Sequence, residues 1–304
     1  MQKKTIVTAD GVEREFIFFK ITFNNYREIS GSTANEILDR EIPEACECVL
    51  YLPKTYTENG DETPLVLAAH GSGGRVSAEL EKIGGLKYAS ACMDDGYAVL
   101  DVNGSALHGR TIGCPEHVFA LYKAYHYAIK HFNLSKRVLV WGGSMGGQTA
   151  MNFATTFPSI TLAVGLFYPR LNMDGFTVGD HYCTGSWDKT EPLSEAGNPR
   201  LRVAKYFRFP TEDSWCEENT AGFNPHKTRS FLTGEGERVV IPPCPIKIWH
   251  GTEDKTVDPM ISREYVNSVR RSGSYVELHL LEGIGHKANN AMKQELKLWF
   301  DRFI

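Results

Sequence analysis

The segment Val138-Leu139-Val140-Trp141 is apolar and β-branched, and it runs directly into Gly142-Gly143-Ser144-Met145-Gly146. The stretch after it, Gly147 to Ala154, reads as a helix. A strand that turns this sharply into a helix brings the two backbones almost into contact, so the positions two before and two after the turn residue must be small. The turn residue itself is strained and exposed. Ser144 would therefore present its hydroxyl above the end of a sheet, where a helix N-terminus favours negative charge. The plainer reading is a tight glycine-rich turn with an incidental serine, because short motifs recur by chance. Either way, the chain must build a sheet whose strands feed directly into helices.

The rest of the chain has that rhythm. Glu13 to Thr22 and Ala45 to Leu52 are strand-like and form an antiparallel opening, followed by a polar loop over Pro53 to Asp61. Strand and helix then alternate. Leu65 to Ala69 is a continuous apolar run, as expected of a strand buried on both faces. Ala78 to Met93 reads as a helix, Tyr97 to Val102 as a strand, and Glu116 to Phe132 as a helix with Phe119, Leu121, Tyr122, Tyr125 and Ala128 on one broad face. Ile160 to Phe167, Ile246 to Trp249 and Val276 to Leu280 are further strands, with helices over Ile261 to Arg271 and Ala288 to Phe303. The expected fold is α/β: a mainly parallel, doubly wound sheet with helices on both faces. Pro169 to Pro243 breaks the rhythm, with many aromatics among Gly, Pro, Asn and Thr. So long a loop is improbable in a compact domain unless it is functional, so it reads as an inserted cap.

Composition narrows the function classes. The chain has 304 residues, 42% hydrophobic and 23% charged, which suits a globular protein with a sizeable core. A net charge of -4 and the lack of a basic stripe argue against a nucleic-acid partner. The longest apolar runs are of strand length, so no membrane span is expected. Met1 to Asp10 has two lysines and no apolar stretch after them, so it does not read as a signal peptide. The seven cysteines are scattered, and Cys46-x-Cys48 has no second pair with which to bind zinc. They read as mostly buried free thiols, which favours a reducing, cytoplasmic compartment.

A serine hydroxyl is a poor nucleophile unless a histidine takes its proton, an acid orients that histidine and amides receive the oxyanion. Candidates for each role follow strands. Asp254 lies in the loop after Ile246 to Trp249; its rival Asp258 precedes Pro259 and suits a helix N-cap. His286 follows Leu281-Glu282-Gly283-Ile284-Gly285, whereas His70, His250 and His279 precede a glycine loop, end a strand and lie inside one, and read as structural. The oxyanion donors would be the backbone N–H of Met145 and that of Ser72 in His70-Gly71-Ser72-Gly73-Gly74. That loop could instead be a phosphate-binding turn, but it lacks the Lys-Ser/Thr of a P-loop. Ser72 could itself be the nucleophile, without the Gly-x-Ser-x-Gly spacing. The order Ser144, Asp254, His286 is that of one specific triad arrangement.

Pro64 to Gly74, Gly142 to Gly147, His250-Gly251-Thr252-Glu253-Asp254-Lys255-Thr256-Val257 and Gly285-His286 together resemble the α/β-hydrolase superfamily. Within it they are similar to the esterase and polyhydroxyalkanoate-depolymerase-like branch and to the catalytic domains of prolyl-oligopeptidase-type peptidases. The resemblance covers residues from about 45 to 304 apart from the cap. It implies a Ser-His-Asp hydrolase without metal or cofactor, in a single domain over 1–304 with an antiparallel extension over 1–44 and a cap over 169–243. The expected function is a carboxylic-ester hydrolase acting on a small-molecule or polymer-borne ester, with Trp187 and Trp215 of the cap as substrate-binding candidates. Two alternatives stand beside it. One is a prolyl-oligopeptidase-type peptidase, against which the roughly forty residues before Ala45 are too few for a propeller. The other is a non-catalytic binding protein on the same fold.

Overall fold

The computed structural model describes residues 1–22, 45–71, 74–103, 113, 115–172 and 223–304. Three strands, β1 (Gln2–Val7), β2 (Glu13–Thr22) and β3 (Ala45–Tyr51), are antiparallel to their neighbours and form one edge of a large sheet. Six more are mutually parallel: β4 (Thr63–Ala69), β7 (Ala98–Val102), β8 (Leu134–Gly143), β9 (Thr161–Phe167), β12 (Ile246–Gly251) and β13 (Val276–Leu281). Together they make a nine-stranded sheet in the order β1-β2-β3-β7-β4-β8-β9-β12-β13. The expected mainly parallel sheet is therefore present.

Helices cover both faces, because alternate residues of the central strands are apolar on both. Leu65, Leu67 and Ala69 of β4 join one core with α2 (Pro115–His131), α3 (Met145–Thr156) and α4 (Pro259–Arg270). Val66 and Ala68 join the other core with α1 (Ser90–Asp94) and α5 (Asn290–Phe300). Strand β4 lies between β7 and β8, so the chain leaves β4 toward one edge and then crosses to the other side of it. In open α/β sheets such a reversal opens a crevice beyond the carboxyl ends of the strands. The loops after β4 and β8 border that crevice.

One expected element is absent. Ala78 to Met93 is not a helix: the region holds a two-stranded ribbon of β5 (Val76–Ser77) with β6 (Lys82–Ile83), a short 3₁₀ turn at Leu86–Tyr88 and the start of α1. Adjacent glycines cost about 1 kcal/mol each inside a helix. Gly84 adopts φ +55°, and the Gly85 N–H donates to Asp101 Oδ2 at 2.6 Å. The segment is thereby tied to a buried carboxylate of β7. Between β9 and β12 the structure describes 168–172 and 223–245, including the hairpin β10 (Ser230–Leu232) and β11 (Arg238–Val240). Trp187 and Trp215 lie outside the described residues, as does most of the span read as a cap. The described cysteines Cys46, Cys48 and Cys92 are buried and Cys244 is half-buried. Burial pushes the thiols of Cys46 and Cys244 up to about 12. No helix among the described residues is long and apolar enough to cross a membrane.

Candidate active site

Ser144 stands between β8 and α3 with φ 56° and ψ -122°, a backbone conformation costly for a residue with a Cβ. Three backbone bonds hold it there: Ser144 N–H to Phe167 O at 3.0 Å, Gly147 N–H to Ser144 O at 3.0 Å, and Arg170 N–H to Ser144 O at 2.9 Å. The flanking glycines are obligatory for a steric reason. A Cβ at Gly142 would collide with the Gly146 carbonyl, and one at Gly146 with the Ala69 carbonyl of β4. Gly146→Ala is therefore expected to lose at least about 1–3 kcal/mol of stability in urea denaturation. Gly234→Ala, where an added Cβ would meet no described atom within 4 Å, is expected to stay within about 0.5 kcal/mol of wild type.

His286 meets the serine. Its Nε2 is 3.0 Å from Ser144 Oγ, and its Nδ1 is 2.7 Å from Asp254 Oδ2. The carboxylate can only accept, so Nδ1 carries the proton and Nε2 is left to accept from the serine hydroxyl. Ser144 is half-buried and the His286 side chain is 23% exposed, so the pair can be reached from solvent, whereas the Asp254 side chain is fully buried. Burial alone would raise the Asp254 carboxyl. Hydrogen bonds from His250, His286 and the Val257 amide outweigh it and hold the carboxyl well below the usual carboxylate range. Asp254 Oδ1 accepts from the amides of Thr256 at 2.8 Å and Val257 at 3.0 Å. The rival Asp258 caps α4 instead, accepting from the Met260 amide at 2.8 Å with Pro259 in the first turn.

Asp254 and His286 are brought together by the loops after β12 and β13. Thr252 N–H donates to Leu281 O at 2.9 Å and Glu253 N–H to Ile284 O at 3.0 Å, while Gly283 N–H donates to Thr252 Oγ1 at 3.0 Å. Gly251 allows this approach, since a Cβ there would strike the Ile284 carbonyl.

The Met145 amide is the first of α3 and has no acceptor within the helix, so it can face an oxyanion beside Ser144. Ser72, the other expected donor, lies outside the described residues. Its neighbour Gly71 packs against the Ser144 turn: a Cβ there would be 3.3 Å from Ser144 Cβ and 3.0 Å from Gly143 O.

Three further side chains at the site are not evident from sequence. Tyr168, at φ 39°, places its ring 4.4 Å from that of His286. His70 donates through Nδ1 to the fully buried Asp101 at 2.9 Å, and its ring fills the space beside Gly74 at the end of the loop. His250 lies on the far side of Asp254, with Nε2 3.3 Å from Oδ2. For the two histidines the one available signal is a polar ring at the end of an otherwise apolar strand, which must find buried partners.

No protein-family model matches this chain. No curated protein matches it in sequence. Solved structures do match in shape. A puromycin-hydrolyzing peptidase of Mycobacterium tuberculosis superposes with a TM-score of 0.59 at 17% identity over 85% of this chain, which spans only 37% of that protein. An S-formylglutathione hydrolase from Agrobacterium tumefaciens gives a TM-score of 0.59 at 16% identity, covering 100% of this chain and 99% of that one. A lipase/esterase from Lactobacillus plantarum gives 0.58 at 14% identity, covering 94% and 98%. Sheet order, the strained serine turn and these neighbours agree: the chain has the fold of the α/β-hydrolase superfamily.

Proposed function

We propose that the protein is a serine hydrolase that cleaves carboxylic esters through an acyl-enzyme. The observation that carries the reading is the continuous hydrogen-bonded chain Asp254–His286–Ser144, with the serine on a strained turn at the carboxyl edge of the sheet. In this reading Ser144 Oγ attacks the ester carbonyl while His286 Nε2 takes its proton, then returns it to the leaving alcohol. Asp254 keeps the imidazole in the required tautomer and stabilises the imidazolium. The amides of Met145 and Ser72 receive the oxyanion. Water then hydrolyses the acyl-enzyme through the same histidine. Each step is carried by side chains and amides of this chain, so chelation should leave turnover unchanged.

The ester reading is supported by neighbours matched over nearly their whole length, the S-formylglutathione hydrolase and the lipase/esterase. The second reading is a peptidase, favoured by the puromycin-hydrolyzing and prolyl endopeptidase neighbours, of which this chain spans 37% and 38%. Labelling by a fluorophosphonate separates a hydrolase from a non-catalytic binder. Turnover of acyl p-nitrophenyl esters against a prolyl anilide then separates esterase from peptidase. Faster turnover of the anilide, or no labelling of Ser144, would overturn the ester reading.

In the same reading residues 1–304 form one hydrolase domain, with 1–44 as an extension and 169–243 as a cap. Both described ends of the cap span lie by the nucleophile helix: the Arg170 amide donates to Ser144 O, and Asn152 Nδ2 donates to Phe223 O at 2.7 Å. Trp187 and Trp215 are proposed to line the acyl pocket. Alanine at either is expected to change kcat/KM unequally across a series of acyl chains, by roughly ten- to two-hundredfold for the chain that fits worst. A uniform effect across the series for both would place the pocket elsewhere.

A further inference from the structure

The contacts of His250 give it a role more specific than that of a buried neighbour of Asp254. The side chain is fully buried at the end of β12. Its Nε2 faces two groups that can only accept, the Val257 carbonyl at 2.9 Å and Asp254 Oδ2 at 3.3 Å. Nε2 therefore carries a proton, which it donates to the Val257 carbonyl while facing Asp254 Oδ2. Its Nδ1 is 2.8 Å from Ser262 Oγ of α4, so in the neutral ring Nδ1 accepts the serine proton. Ser262, itself fully buried, satisfies Nδ1 in that tautomer, and the ring is held at both nitrogens.

The consequence falls on Asp254. Its Oδ2 accepts from the His286 N–H and faces His250 Nε2 at 3.3 Å, while Oδ1 takes two backbone amides. A carboxylate on a short loop can rotate about its side-chain torsions. Donors on both oxygens, from three directions and away from solvent, remove that freedom. We propose that His250 is a positioning residue for the reaction: with Ser262 it locks Asp254 in the rotamer that meets His286 Nδ1. The proposal rests on the hydrolase reading. His250 touches no reacting atom and acts only through Asp254.

The test uses the full chain and the variants His250→Leu, His250→Gln and Ser262→Ala, each checked for folding by thermal unfolding. Leucine removes the Nε2 donor at similar volume. Glutamine returns an N–H near the place of Nε2. Small misplacement of a catalytic group costs on the order of a hundredfold in rate. With a p-nitrophenyl ester, His250→Leu is therefore expected to lower kcat by about a hundredfold with KM within about threefold. His250→Gln is expected to recover kcat to within about tenfold of wild type, and Ser262→Ala to lower kcat by about tenfold at unchanged KM. A second readout does not depend on turnover: the low-field proton resonance of the His286 Nδ1–H bonded to Asp254 should shift or broaden in His250→Leu and return in His250→Gln.

Wild-type kcat and an unmoved resonance in folded His250→Leu would overturn the proposal. So would a His250→Gln variant as impaired as His250→Leu. Should His250→Leu fail to fold, Ser262→Ala decides, and a kcat within about twofold of wild type with an unmoved resonance would overturn the proposal. Failure of the hydrolase reading is recognised separately, as wild-type protein that no fluorophosphonate labels; the resonance then still reports whether His250 orders the Asp254–His286 pair.

Discussion

Ser144→Ala is expected to fold as wild type and to lose ester turnover by about a millionfold, the scale set by removing the nucleophile of a working triad. Stability should not fall, because among the described residues the hydroxyl bonds to His286 Nε2, and the backbone bonds that hold the turn do not involve Oγ. Alanine keeps the strained backbone of residue 144 while removing the hydroxyl that the hydrolase reading uses. The measurement is steady-state hydrolysis of an activated ester by purified variant, with circular dichroism as the folding control. Turnover within tenfold of wild type would move the nucleophile elsewhere, Ser72 being the next candidate.

The second large effect is at the acid. Asp254→Asn is expected to lower kcat by roughly ten-thousandfold, because an amide offers its NH₂ to His286 Nδ1 and favours the wrong tautomer. Asp258→Asn should leave kcat within about twofold, since asparagine caps a helix about as well as aspartate. The reverse ranking would identify Asp258 as the acid. A linked effect on stability follows from the depressed carboxyl of Asp254. An acid whose proton affinity is lower folded than unfolded stabilises the native state above its unfolded value, near pH 4, and loses that contribution as pH falls toward the folded value. The gap in Tm between wild type and Asp254→Asn should therefore narrow as pH is lowered from about 5 to about 3. A gap that widens on acidification would contradict the bond pattern around Asp254.

The strands of the central sheet were legible in sequence because burial on both faces demands unbroken apolar runs. Leu65 to Ala69 and Ile160 to Phe167 match β4 and β9 to within two residues. The serine turn was legible for a similarly local reason, since small residues are needed wherever a strand folds back so tightly into a helix. Where local preference and tertiary contact disagree, the sequence misleads. Ala78 to Met93 carries a helical pattern, yet Gly84 and Gly85 fold onto Asp101, a residue of a different strand. The sequence favours Asp254 over Asp258 only through the N-cap role that Pro259 suggests for Asp258. The contact itself comes from the fold: the β12 and β13 loops bond to each other and bring His286 to Asp254, 32 positions away in sequence.

The α/β alternation, the strand–turn–helix at Ser144 and the set of candidate groups could be read along the chain, because each depends on periodicity or on sterics among near neighbours. Tertiary structure alone decided which acid faces the histidine and that β4 lies between β7 and β8. It also set His250 Nε2 3.3 Å from Asp254 Oδ2. Those outcomes depend on contacts between distant segments, where hydrogen-bond direction and the exclusion of water fix each group's partner, and neither property is written in any one stretch of chain.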